Sequence, residues 1–187
     1  MTRKLYMLIP SPGSRIPQYV SAVDAHGKTL FENLLPSKKP SHAYLHPPSG
    51  VEVLDRLLTS GNEFILSKRA SQVLANCDID PAIARCPIIA LPLSRDQAPI
   101  SGYKLWYSEL NHDILHEYAL TRKFKGRVLS VFEWVAAIER IPNYDLFLGL
   151  PNQWFVSERF VDLAFENRLS GFGFALVPCF QAMRAEP

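Results

Sequence analysis

The chain has only three cysteines, Cys77, Cys86 and Cys179, and no CxxC pair. An odd, scattered set argues against a disulfide framework and fits a reducing cytoplasm. No apolar run approaches the roughly 18 residues of a membrane span. The start, "MTRKLYMLIPSPGS", has two positive charges but an apolar stretch only from Leu5 to Pro10. That is too short for a signal-peptide core and predicts a first strand from Lys4 to Ile9. Charge of one sign is also missing. A net charge of +2 over 187 residues favours neither nucleic acid nor an acidic substrate. There is no phosphate-binding glycine loop, because Gly171-Phe172-Gly173 is a turn into an apolar strand.

What the chain has in abundance is proline, 15 residues, in a composition that is 48% hydrophobic and 20% charged. A packed core is expected, in a single domain of residues 1–187 or in subdomains 1–100 and 101–187. The prolines exclude long helices from the first half. Leu35 to Gly50, "LPSKKPSHAYLHPPSG", reads as a loop or an extended surface segment. Tyr19 to Glu32 predicts a hairpin turning at His26-Gly27. Val51, Leu54, Leu57 and Leu58 have helical spacing. Strands are expected over Pro87–Leu93 and Tyr103–Tyr107.

One pattern occurs twice. "FILSKRASQVLANCDIDPAIARCPIIALP" (64–92) and "FVSERFVDLAFENRLSGFGFALVP" (155–178) align Ser67 with Ser157 and Arg69 with Arg159. Each has an apolar run, Ser-charge-Arg, an amphipathic stretch, a turn and a second apolar run ending in proline. A serine between strand and helix is where a nucleophile elbow would place it, but that motif needs small flanking residues. Here the flanks are Leu66, Lys68, Val156 and Glu158. Helix capping explains both serines without chemistry. The expectation is an α+β fold, a mixed sheet with short helices, containing two strand–helix–strand units that superpose.

Residues 114–141 are ambiguous. A β-hairpin can turn at Lys125-Gly126, or Ser130 and Glu133 can form a capping box ahead of a helix. We expect a strand first and a helix from about Val131, ended by Pro142. The basic run "RKFKGR" (122–127) reads as a charged turn between apolar segments.

"HDILHE", from His112 to Glu117, resembles the zinc-protease pattern HExxH with Asp113 in place of the glutamate. On a helix His112 and His116 would face one way, but aspartate is one methylene short and no familiar third ligand follows. The expectation is no metal and no cofactor. A metal-dependent hydrolase using His112 and His116 is the alternative, and a non-catalytic binding module a third reading.

From Ile138 to Pro178 the chain resembles the C-terminal region of an immunity-protein family of bacterial polymorphic toxin systems, the Myxococcus type once classed as a domain of unknown function. The likeness rests on "IPNYDLF", "WFVSER", the amphipathic helix and "GFGFALVP"; "KLYMLIP" and "WYSELN" fit more loosely. It implies a cytoplasmic, non-enzymatic protein that binds and neutralises a cognate secreted toxin domain encoded by a neighbouring gene. The partner would be a protein, not nucleic acid or membrane, with homo-oligomerisation also open. The segment "YKLWYSELNHDILHEY" offers anchors for it: Trp106, Glu109, His112, Asp113 and Glu117. Alternation along 103–107 puts Tyr103, Leu105 and Tyr107 inside. Trp106 then faces a partner, or covers a second core layer under a helix.

Overall fold

The computed structural model describes residues 4–11, 19–23, 43–46, 54–59, 63–90, 102–108 and 110–181. The elements, in chain order, are β1 (Leu5–Ile9), β2 (Tyr19–Val23), β3 (Ala43–His46), β4 (Arg56–Thr59), β5 (Phe64–Leu66), α1 (Lys68–Val73), β6 (Ile83–Ala90), β7 (Lys104–Ser108), β8 (Leu120–Phe124), β9 (Arg127–Glu133), β10 (Ala136–Ala137), β11 (Leu146–Gly149), β12 (Gln153–Ser157), α2 (Glu158–Glu166), β13 (Gly173–Val177) and β14 (Cys179–Phe180). The class is α+β with mixed sheets and short helices, as the sequence predicts.

Strands β2-β3-β6-β7-β5-β4 close a barrel, and β11-β12-β1-β13 form a four-stranded sheet. Two of their ladders have matching registers. In the ladder β4·β5, Arg56 faces Leu66 and Leu58 faces Phe64; in β11·β12, Leu146 faces Val156 and Leu148 faces Trp154. Each partner is shifted by 90 positions (56 to 146, 66 to 156). Antiparallel to the inner strand of each pair lies a strand from elsewhere: β7 beside β5, and β1 beside β12. β6 then follows β7, and β13 follows β1. A cut between residues 100 and 101 would therefore strip β7 from the barrel and β1 from the sheet.

The helices follow from local signals. Ser67 and Ser157 have extended backbone and accept from the amides of Ala70 and Phe160, so each caps a helix N-terminus. In α2, Phe160, Val161 and Ala164 are buried. Burial of Phe160 alone contributes about 2 kcal/mol. These side chains join Leu66, Ala70, Leu74, Trp106, Leu146 and Trp154 in one core between barrel and sheet. The other face of the sheet carries Leu5, Phe147, Phe155 and Val177 into a second cluster, the alternation that a sheet covered on both sides requires. Arg56 ties the layers: its side chain donates to the Ile9 carbonyl at 2.7 Å and its amide to the Ser170 carbonyl at 3.1 Å. Burial lowers its pKa to about 10, so it stays charged at neutral pH.

Several expectations are corrected. The helical spacing from Val51 to Leu58 does not become a helix at its end, where 56–59 is strand β4 paired with β5; residues 51–53 lie outside the described set. Strand β2 pairs antiparallel with β3, so its partner comes from the proline-rich stretch rather than from a hairpin closing at His26-Gly27; that turn also lies outside the described residues. Residues 131–133 belong to strand β9, not to a helix. Lys125 (φ +47) and Gly126 (φ +77) make a turn with positive φ at both central positions, the twist a tight hairpin needs. Ladder pairing across that turn outcompetes the Ser130–Glu133 capping box. Between β9 and Pro142 the helical structure is a short 3-10 segment, Ile138–Arg140.

Candidate functional site

The segment expected to carry chemistry, His112 to Glu117, is not helical. His112 bridges to Gly149 beside β11, and Leu115 bridges to Ala136. The i, i+4 spacing therefore does not bring the two imidazoles to one face. His112 Nε2 meets Asp80 Oδ2 at 2.7 Å, with the ring edge-on to Phe147 at 5.7 Å. His116 is buried; its Nδ1 accepts from the Tyr118 amide at 3.1 Å, which leaves Nε2 to donate to the Gln181 carbonyl at 3.1 Å. Each imidazole has its own, separate partners, and the helical face on which the hydrolase alternative placed both histidines does not form.

Of the residues expected at a partner surface, Trp106 is the clear correction. It is 1% exposed and lies in the core between barrel and sheet. The alternation was read correctly, since Tyr103, Leu105 and Tyr107 are buried too, but the opposite face is covered by α1. His112 is half-buried, Asp113 and Glu117 are exposed, and Glu109 lies outside the described residues.

The two serines sit in matching polar knots. Ser67 Oγ donates to Asp55 Oδ1 at 2.8 Å, Arg69 donates to Asp55 Oδ2 at 3.0 Å, and the Ser67 amide donates to the Asp55 carbonyl at 2.8 Å. In the second unit Ser157 Oγ donates to Asp145 Oδ1, Arg159 lies 3.6 Å from Asp145 Oδ2, and the Ser157 amide donates to the Asp145 carbonyl at 3.0 Å. Asp55 also accepts from the Ser170 amide and hydroxyl, at 3.0 and 3.1 Å. Burial pushes its carboxyl pKa up, and these hydrogen bonds with Arg69 outweigh it, so the net shift is downward. Among the described residues neither serine hydroxyl has a histidine partner to serve as a base. Sequence reasoning missed both aspartates, although a signal existed: each lies 12 positions before its serine.

The surface that stands apart is the β8–β9 hairpin. Its two strands form a sheet of their own. Register shifts interrupt the ladder between Leu120 and Thr121 and between Arg122 and Lys123. Ser130 pairs with Arg122 and Val128 with Lys123, while Glu133 pairs with Leu120 and Val131 with Thr121. Leu129 and Phe132 are therefore extra residues in β9, as in a β-bulge. Both are exposed, as are Leu120 and Phe124; Phe124 is 61% and Phe132 66% exposed. Arg122, Lys123, Lys125 and Arg127 surround them. At the hairpin's start Tyr118, itself exposed, packs its ring 4.7 Å from His116 and 6.4 Å from Phe180. The basic run is thus a charged turn, as read, but the apolar residues beside it are solvent-facing rather than core.

Compared with known proteins, the chain matches no family model and no curated protein. Among the described residues no helix is long and apolar enough to cross a membrane.

Proposed function

We propose that the chain is an immunity protein: it binds a cognate toxin domain in the cytoplasm, blocks it stoichiometrically, and engages it through the β8–β9 hairpin. The carrying observation is the hairpin itself. Four large apolar side chains, Leu120, Phe124, Leu129 and Phe132, are more than half exposed on a two-stranded sheet. Isolated hairpins are marginal in water, and exposed aromatic clusters with arginine neighbours are the makings of a binding hot spot. Four cations against the single acid Glu133 suit a partner with apolar pockets rimmed by carboxylates. The resemblance over residues 138–178 supports the immunity reading, and the hairpin replaces Trp106 as the anchor surface.

The test is co-expression with the product of the neighbouring gene, followed by calorimetry. A Phe124→Ser, Phe132→Ser variant should melt like the parent, because neither ring is buried. It should lose toxin affinity by about 2–4 kcal/mol. Unchanged affinity in that folded variant removes the hairpin from the interface. If the parent chain binds no neighbouring-gene product, the immunity reading itself fails. Self-association abolished by the same variant would make a second copy of the chain the occupant.

A further inference from the structure

The matching registers extend beyond β4·β5 and β11·β12. In the barrel β2 runs parallel to β4 through Val20↔Thr59 and antiparallel to β3 through Val23↔Tyr44. Beside the four-stranded sheet, residues 112–115 do the same: His112 bridges Gly149 in parallel, and Leu115 bridges Ala136 antiparallel. β3 runs parallel to β6 through Tyr44↔Ile89 and Leu45↔Ala90, and β10 runs parallel to β14 through Ala136↔Cys179 and Ala137↔Phe180. The shift is 92 positions on one side of these pairs (20 to 112, 44 to 136) and 90 on the other (59 to 149, 89 to 179). The second unit's pairings therefore follow the barrel's cyclic order: 112–115, β10, β14 with β13, β1, β12, β11.

One strand departs from chain order. All six barrel strands come from 19–108, with β7 seated between β5 and β6. The matching slot, between β12 and β13, holds β1, which precedes the whole barrel in the chain. Leu5 pairs with Ser157 on one side and with Val177 on the other. Its side chain is buried with Ile114, Ala136, Phe147, Phe155 and Val177. Ile114 and Ala136 flank the two ends of the β8–β9 hairpin, so β1 packs against the hairpin's root. Gln153 Nε2 donates to the Leu8 carbonyl at 2.7 Å. Among the described residues no ladder joins β1 to a barrel strand. Toward the barrel β1 gives Leu8 to the shared core and accepts from Arg56 at the Ile9 carbonyl.

We propose that β1 is a latch: it closes the unit that carries the hairpin, and that unit opens by losing β1 while the barrel stays closed. Seating Leu5 against Ser157 closes a far longer loop than seating β7 beside β6, and its entropic cost is higher. Structure held by a few such distant pairings opens locally, below the free energy of global unfolding. β1 lies inside its sheet, so its departure leaves both β12 and β13 with unpaired edges. It also takes Leu5 out of the cluster that seats Ile114 and Ala136. The latch rests on these pairings and does not depend on the toxin-binding reading.

The test is native-state hydrogen exchange of the full chain, amide by amide, in low urea. Amides of 5–9, 153–157 and 173–177 should converge on one opening free energy and one urea slope, and those of 64–66, 83–86 and 104–108 on another. If β1 shares the barrel's values, or all strands share one set, the latch is overturned. Leu5→Ala should speed exchange at 153–157 and 173–177 by at least about tenfold and change the barrel amides by less than about twofold. Leu105, buried in β7, gives the reverse variant: Leu105→Ala should speed exchange at 64–66 and 83–86 instead. Equal acceleration of both sets by Leu5→Ala also overturns the latch. The parent measurement needs no substitution, so it decides the matter even where Leu5→Ala does not fold.

Discussion

The two serine caps look alike, yet their loss should not cost the same. Removing Ser157 Oγ takes the cap from the Phe160 amide and a donor from the buried carboxylate of Asp145. A lost cap costs about 1 kcal/mol. A buried charged acceptor left short of a donor costs about 1–3 kcal/mol more. Among the described residues Asp145 keeps only the Asp78 amide at 2.8 Å and the more distant Arg159, so Ser157→Ala should destabilise by about 2–4 kcal/mol. Asp55 is better supplied. Without Ser67 it still accepts from Arg69 and from both the amide and the hydroxyl of Ser170. Ser67→Ala should therefore cost little more than the cap itself, about 1–1.5 kcal/mol. Urea unfolding of both variants measures the difference, with the slope against denaturant unchanged if the unfolded state is unaffected. In thermal melts Ser157→Ala should fall by roughly 5–10 °C. Equal costs, or a larger cost at Ser67, would refute the donor count as the deciding quantity.

Glycine positions give a matched pair: Gly126 and Gly171 both have positive φ, but an added Cβ meets nothing within 4 Å at Gly126 and lies 2.2 Å from the Arg56 carbonyl oxygen at Gly171. Gly126→Ala should cost about 1 kcal/mol and Gly171→Ala more than about 3 kcal/mol, read by chemical denaturation. The lowered pKa of Asp55 means its carboxylate stabilises the fold fully above its unfolded value of about 3.9. That contribution disappears as the pH falls through the lower folded value, so stability should decline on acidification from about pH 4, and Asp55→Asn should flatten the decline. Burial raises the Cys77 thiol to about 12, so at pH 8 it should resist iodoacetamide in the native protein and react once the chain is unfolded, as peptide mass mapping would show.

Elements with strong local signals were legible. A serine cap followed by Phe160, Val161 and Ala164 specifies α2 from within a dozen residues, and the same holds for α1. Pairing partners were not. Leu57 reads equally as one helical turn or as one position of a strand, and only the ladder to Ile65 decides. β3 lies in a proline-rich stretch whose composition favours a loop, and it is a strand through its pairing with β2 and β6. Alternation correctly put Trp106 opposite Leu105, but which element covers that face is a long-range fact. The histidine spacing was informative only on a helix, and the pairing of 112–115 with β11 and β10 removes that premise. Asp55 and Asp145 were legible in principle, at a constant distance from the two serines; an alignment starting at the apolar runs begins too late to include them.

The arginines show what the Ser-charge-Arg pattern does. Arg69 Nη2 donates to the carbonyl of Asn167, the C-cap of α2, while Arg159 Nη2 donates to the carbonyl of Asn76, at the end of the 3-10 turn after α1, at 2.6 Å. Carbonyls at helix ends lack partners within the helix, and a cation is favourable there. Each arginine therefore binds the aspartate of its own unit and closes the helix end of the other. Both side chains are more than half exposed, so neither ion pair is worth much alone. Their value is geometric, because a planar guanidinium can hold two acceptors in fixed directions where a lysine ammonium cannot. The pattern spends its serines on caps and its arginines on the joint between barrel and sheet. Under the proposed immunity function, partner recognition would fall to a segment that this joint does not constrain, and the hairpin, a two-stranded sheet of its own that carries its apolar residues outward, fits that role.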